Sequence, residues 1–221
     1  ETQMVIEPIA TIEPLETIET AVTGTKNLLE LAKNKQVDSF VYLSSMEAYG
    51  SATEEVLLSE NAAACFDSMA VRSCYPESKR AAETLCASYV RQYGLEAVVA
   101  RLCYIYGPTI APENSRADAQ FLRKALAGED IVLKSAGAQV RSYCYVTDAV
   151  CALITLLLAG ENGQAYNVAS NDSVHSIREY AETLADQMWA ALNEENKVSL
   201  FVRYTDLHTR EIQQRIINKH C

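Results

Sequence analysis

Residues Cys74 to Cys103 read CYPESKRAAETLCASYVRQYGLEAVVARLC, a long helix, a stop and a buried strand in immediate succession. Apolar positions recur at helical spacing from Tyr75 to Gln92, and Gly94 follows as a left-handed cap. Leu95 to Cys103 then passes through Ala97-Val98-Val99-Ala100, a continuous apolar core where a half-exposed strand would alternate. Such a strand is covered on both faces. The same order occurs upstream. Leu15, Ile18, Val22, Leu28, Leu29 and Leu31 keep helical spacing between Pro14 and Asn34, ahead of the strand-like run Val37 to Leu43. Helices alternating with uniformly apolar strands predict an α/β fold whose parallel sheet lies between layers of helices.

Working outward, residues 51 to 74 read as polar and irregular, and 108 to 116 as a loop. A helix is expected from Ala117 to Ala127 with Gly128 as its cap, then a strand from Asp130 to Lys134. Tyr143 to Val146 reads as a short strand. An apolar helix opens at Thr147-Asp148, with Asp148 as its cap, and runs to Leu158; Gln164 to Ala169 returns to the sheet. Ser176 with Glu179 three residues on is a capping-box pattern. Beyond about Ala185 periodicity alone gives a strand at Val198 to Tyr204 and a helix at Asp206 to Lys219.

At 221 residues and 49% hydrophobic, the chain is long enough for a well-buried core, which excludes global disorder. A net charge of −10 argues against nucleic acid and anionic membrane surfaces as partners, since both require a cationic face. A local arginine can still bind a diphosphate. The seven cysteines include no Cys-x-x-Cys and sit mostly in apolar contexts, such as Val150-Cys151-Ala152, so they read as buried free thiols of a reducing cytoplasm. Three histidines, none spaced with a second ligand, argue against a metal site. Ala149 to Ala159 is far short of the roughly twenty apolar residues that a membrane-spanning helix needs.

Tyr75 and Lys79 stand four apart at the head of the long helix, and positions i and i+4 share a face. A nearby cation favours a phenolate, so Lys79 is expected to make Tyr75 a usable base near neutral pH, with Ser45 able to hydrogen-bond the same substrate hydroxyl. The flanking stretches are Val41-Tyr42-Leu43-Ser44-Ser45-Met46-Glu47-Ala48-Tyr49-Gly50 and Ala100-Arg101-Leu102-Cys103-Tyr104-Ile105-Tyr106-Gly107-Pro108. Taken in order, Ser-Ser-x-Glu-x-Tyr-Gly, Tyr-Pro-x-Ser-Lys and Arg-x-x-x-x-Tyr-Gly-Pro resemble the extended short-chain dehydrogenase/reductases. Within that family they resemble the NAD-dependent nucleotide-sugar epimerases and dehydratases. The resemblance runs from roughly residue 14 to residue 185.

It implies a Rossmann-like doubly wound parallel sheet with a small C-terminal substrate lobe. Residues 1–108 would form a partial NAD-binding domain. Residues 109–221 would contribute the substrate lobe and return strands and helices to the sheet. The Gly-rich βαβ unit that holds the dinucleotide pyrophosphate is absent from this sequence and is expected before Glu1. The implied catalytic set is Ser45, Tyr75, Lys79 and Glu47. Tyr75 would remove a proton from a sugar hydroxyl, Lys79 would also bond the nicotinamide ribose, and Ser45 would orient the hydroxyl. Ser44, Tyr75, Lys79 and Tyr104 are the implied NAD contacts, and Glu47 and Arg141 the implied substrate contacts, Arg141 at the nucleotide diphosphate. The expected function is NAD-dependent 4-epimerisation of a nucleotide-diphospho-sugar by a cytoplasmic homodimer that pairs through the helices near 15–34 and 75–92. A decarboxylase of UDP-glucuronate type, a 4,6-dehydratase and a silent nucleotide-sugar-binding subunit are the alternatives. Three positions depart from the family pattern: Met46 where dehydratases carry an acid, Tyr104 where relatives carry Asn, and Ala21 in Thr20-Ala21-Val22-Thr23-Gly24.

Overall fold

A computed structural model describes residues 13–50, 58–108, 114, 116–192 and 202–204. The chain divides into two compact units, one of residues 1–107 and 143–171, the other of 108–142 and 172–221.

In the first unit α1 (Pro14–Glu19) and α2 (Thr25–Lys35) are joined by a π-helical stretch at Thr20–Gly24. The single helix expected from periodicity is therefore wider in its middle, and Thr25, just past the π-helical stretch, is buried. β1 (Phe40–Ser45) follows, beginning three residues later than the strand-like stretch expected from Val37 and ending on the serine pair. A 3₁₀ turn at Met46–Tyr49, a second at Val71–Ser73, α3 (Cys74–Tyr93) and β2 (Ala97–Leu102) come next. Gly94 adopts the left-handed conformation expected of it, at φ +68°. β3 (Tyr104–Tyr106), α5 (Val146–Ala159) and β6 (Ala165–Val168) complete the unit, with the second half of β5 (Val140–Tyr145) pairing in parallel with β3.

The sheet order is β1-β2-β6, all parallel, with Phe40 opposite Ala97 and Val99 opposite Ala165. The strand period of two divides β2 between two cores. Ala97 and Val99 join Leu29, Ala32, Tyr42, Ala82, Cys86 and Tyr89 on the side of α2 and α3. Val98 and Ala100 join Cys144, Ala149, Leu156 and Val168 on the side of α5. The continuous apolar run in β2 is thus used on both faces, as the sequence predicts. Each fully buried aliphatic side chain contributes about 2 kcal/mol.

The second unit contains α4 (Ala117–Leu126), β4 (Ile131–Leu133), the first half of β5, β7 (Val174–Ser176), α6 (Ile177–Leu192) and β8 (Val202–Tyr204). Phe121, Ala125, Ile131, Leu133, Ala181 and Ala185 form its core. The capping box is present: Ser176 Oγ accepts from the Glu179 amide at 3.1 Å, and the Ser176 amide donates to Glu179 Oε2 at 2.8 Å. The helix expected at 206–219 lies outside the described residues, as does 198–201 of the strand ahead of it.

Two further expectations change. Cys65 and Cys151 are exposed, Cys151 because it faces outward on α5, an apolar helix in which only Ala149 and Leu156 are buried. Asp148 does not cap α5: the helix begins at Val146, Tyr145 holds the N-cap position, and no side chain accepts there. β3 and β7 are three-residue strands too short to show a period. Among the described residues no helix is long and apolar enough to cross a membrane.

Gly50 ends the 3₁₀ turn at φ +73°, where it bridges to Cys65, and a Cβ there would overlap the Cys65 carbonyl oxygen. Gly50→Ala is expected to cost at least about 2 kcal/mol, combining left-handed strain with displacement of the Cys65 loop. Urea unfolding measures it, and a loss below about 0.5 kcal/mol would show that the loop yields freely.

Candidate active site

The site is built at the carboxyl end of β1, where open α/β sheets bind their ligands. Ser44 is buried there, and Ser45 leaves the strand in extended conformation to cap the 3₁₀ turn. Ser45 Oγ accepts from the Glu47 amide at 3.2 Å. That bond uses one oxygen lone pair, so the hydroxyl proton stays available for donation.

α3 packs across the strand end and the turn. Pro76 sits in its first turn, where a missing N–H costs nothing, and Tyr75 and Lys79 follow one another along one face. Lys79 Nζ donates to the Leu43 carbonyl at 2.8 Å, which ties the amine to β1 just before the serine pair. It lies 5.9 Å from the Tyr75 ring centroid and 5.1 Å from that of Tyr42. Burial pulls the Lys79 ammonium below its ordinary lysine value, and the Glu83 carboxylate partly opposes this. Below that lowered midpoint folding carries the cost of burying the charge, a cost that fades as pH rises toward the ordinary lysine range. Burial pushes the Tyr42 phenol up to about 12, so Tyr42 stays neutral beside the site.

Glu47 projects from the turn and its Oε2 accepts from Arg72 Nη2 at 2.5 Å. Arg72 Cζ stands 5.6 Å from the Tyr75 ring centroid. Tyr104 is half-buried on β3 opposite Tyr143, with ring centroids 5.9 Å apart. Six of the seven residues singled out from the sequence therefore lie in the first unit. Arg141 lies in the second, on β5 opposite His175 of β7, with Nη2 3.5 Å from Gln139 Oε1.

Beneath the serine pair is a polar network in which only Ser44 carries a role expected from sequence. Arg101 on β2 forks onto Glu83 of α3, Nε to Oε1 at 3.0 Å and Nη2 to Oε2 at 2.7 Å. Ser44 Oγ donates to Glu83 Oε1 at 2.5 Å. Arg101 Nη1 donates to Tyr49 OH at 2.9 Å, and Tyr49 OH donates to Asn167 Oδ1 of β6 at 2.6 Å. The Glu83 carboxylate holds the guanidinium well above its ordinary value. The signal for Glu83 was its place four residues after Lys79, one further turn along the same face. Arg101 opens the Arg-x-x-x-x-Tyr-Gly-Pro run, but nothing local to it names Glu83 as partner.

The donor set suits the nicotinamide-ribose end of a dinucleotide: a cation and hydroxyls at a strand end, above a sheet with helices on both faces. The eight glycines of the sequence include no closely spaced Gly-rich turn for a pyrophosphate.

Residues 9–169 match the model of the NAD-dependent epimerase/dehydratase family. UDP-glucuronic acid decarboxylase 3 of Arabidopsis thaliana is 38% identical over 177 residues, covering 78% of this chain and 49% of that protein. A dTDP-glucose 4,6-dehydratase from Bacillus anthracis, solved in complex with NAD, superposes with a TM-score of 0.69 at 28% identity, over 86% of this chain and 57% of its own. A Thermus thermophilus UDP-glucose 4-epimerase complex with NAD gives 0.71 at 27% identity, over 81% of this chain and 58% of its own. The chain spans about half the length of the curated relatives it matches. With three quarters of its length matched in sequence, and with the fold matched as well, this chain belongs to the NAD-dependent epimerase/dehydratase family.

Proposed function

We propose that this chain carries the catalytic residues of an NAD-dependent enzyme acting on a nucleotide-diphospho-sugar. The observation that carries this is the Tyr75–Lys79 pair, on one face of α3, with Lys79 anchored to the strand that presents Ser45. NAD, when bound, supplies the hydride acceptor, and Lys79 and Tyr104 are the residues offered to it, while Ser44, expected there from sequence, is buried with its hydroxyl donated to Glu83. Tyr75 takes the proton of the sugar C4 hydroxyl. Ser45 donates to the same oxygen, and Lys79 keeps positive charge beside the phenol.

Of the possible outcomes, decarboxylation of a nucleotide-hexuronate has the stronger support. Relatives at 38% and 37% identity are UDP-glucuronic acid decarboxylases, and Glu47 is the single acid of the Ser45-Met46-Glu47 turn. A ketone at C4 lies β to a C6 carboxylate, the arrangement from which carbon dioxide departs. The 4-epimerisation expected from sequence is the second reading, supported by the superposition on a UDP-glucose 4-epimerase.

The intact protein is to be incubated with NAD and, separately, UDP-glucuronate and UDP-glucose, with products read by mass and NMR. Loss of carbon dioxide from UDP-glucuronate is the expected result. An isomer of unchanged mass from UDP-glucose would replace it with the epimerase, and no turnover with no NAD binding would leave a silent binder.

The reading includes a cytoplasmic homodimer. Leu15, Ile18, Leu28 and Leu31 on α1 and α2 are exposed apolar residues on one of the expected pairing helices. Sedimentation is expected to give twice the chain mass, and a monomer at micromolar concentration would remove the dimer.

A further inference from the structure

Arg72 lies three residues before Tyr75, in the 3₁₀ turn that runs directly into α3. Its guanidinium faces two groups at once: Glu47 Oε2 at 2.5 Å and the Tyr75 ring, whose centroid is 5.6 Å from Cζ. Lys79 Nζ is 5.9 Å from the same centroid. Tyr75 is therefore flanked by two cations, one from the turn before it and one from the helical turn after it.

Stability does not account for this arrangement. The side chains of Arg72 and Glu47 remain 44% and 34% exposed, and ion pairs of that exposure contribute little. Their chemistry has a direct consequence for the site. A cation beside a phenol favours its ionised form, and the planar guanidinium holds a carboxylate in a fixed orientation. We propose that Arg72 is a positioning residue that keeps Tyr75 poised as a phenolate and holds the Glu47 carboxylate at its side. This rests on the reading of Tyr75 as the base.

The charged and titratable groups around Tyr75 set the expected signs. Lys79 and Arg72 face the ring, Tyr42 of β1 lies near it and stays neutral, Glu47 meets it through Arg72, and Glu83 lies behind Lys79. Arg72→Gln removes a cation and leaves the Glu47 charge unmasked, and both changes disfavour the phenolate. Arg72→Lys keeps the cation without the planar guanidinium. Glu47→Gln removes the anion and favours the phenolate.

The direct measurement is a pH titration of the intact protein labelled with carbon-13 at the tyrosine ring carbon bearing oxygen. The Tyr75 resonance is the one missing from Tyr75→Phe. In Arg72→Gln its midpoint is expected to rise by on the order of half to one pH unit, to return most of the way in Arg72→Lys, and to fall in Glu47→Gln. The acid limb of kcat/KM for UDP-glucuronate with NAD should move with it. Arg72 is exposed, so these variants are expected to fold. A Tyr75 midpoint unmoved by Arg72→Gln overturns the inference while leaving Tyr75 as base. Undiminished turnover in Tyr75→Phe overturns the underlying reading instead.

Discussion

Tyr75→Phe is expected to lower kcat for the sugar-nucleotide reaction about a thousandfold, with KM changed little, because a positioned base contributes roughly 10²–10⁴. Phenylalanine keeps the ring between Arg72 and Lys79, so the packing against both cations survives and only the phenolic oxygen is removed. The melting temperature should therefore stay within a degree or two, which separates this loss from unfolding. Lys79→Met should lower kcat too, but with a different companion effect. It removes the bond to the Leu43 carbonyl and the buried charge together, so stability at neutral pH changes little or rises while activity falls. Steady-state kinetics beside thermal melts decide both. Tyr75→Phe retaining a tenth of wild-type turnover would remove Tyr75 as the base.

What was legible in the sequence was what depends on near neighbours. The i, i+4 relation of Tyr75 and Lys79, the Gly94 cap, the Ser176–Glu179 box and the two-faced apolar run in β2 are all local patterns, and each stands where expected. Features that depend on distant neighbours were not legible. Tyr49 and Asn167 meet across 118 residues and Arg101 and Glu83 across 18, and no periodicity announces either contact. The π-helical stretch at Thr20–Gly24 keeps helical apolar spacing on both sides, so its extra width leaves no mark in the pattern. β1 starts three residues after Val37 because the polar pair Asp38-Ser39 separates that valine from the apolar run Phe40 to Leu43, and backbone pairing with β2 begins only at Phe40. Glu47 could be placed near the serine pair from its spacing, but its attachment to Arg72, 25 residues on, belongs to the fold.

Arg101→Met is expected to destabilise the first unit by about 3 kcal/mol, the scale for removing one partner of a largely buried ion pair. The Arg101 and Glu83 side chains are only 15% and 12% exposed, and the fork supplies two charge-assisted bonds. Without it Glu83 retains the Ser44 hydroxyl as its hydrogen-bond donor, and its uncompensated charge acts on Lys79, one turn earlier on α3. Lys79 is then drawn away from the Leu43 carbonyl that positions it, so kcat should also fall, by about tenfold for a misplaced group that still carries its charge. Glu83→Met in the same chain is expected to restore much of the stability, since two apolar residues in place of a buried pair are often neutral, but not the activity, because Ser44 loses its acceptor. A double-mutant cycle across Arg101 and Glu83 measures the coupling. A cost for Arg101→Met below about 1 kcal/mol would place the pair with exposed ion pairs and detach the network from the site above it.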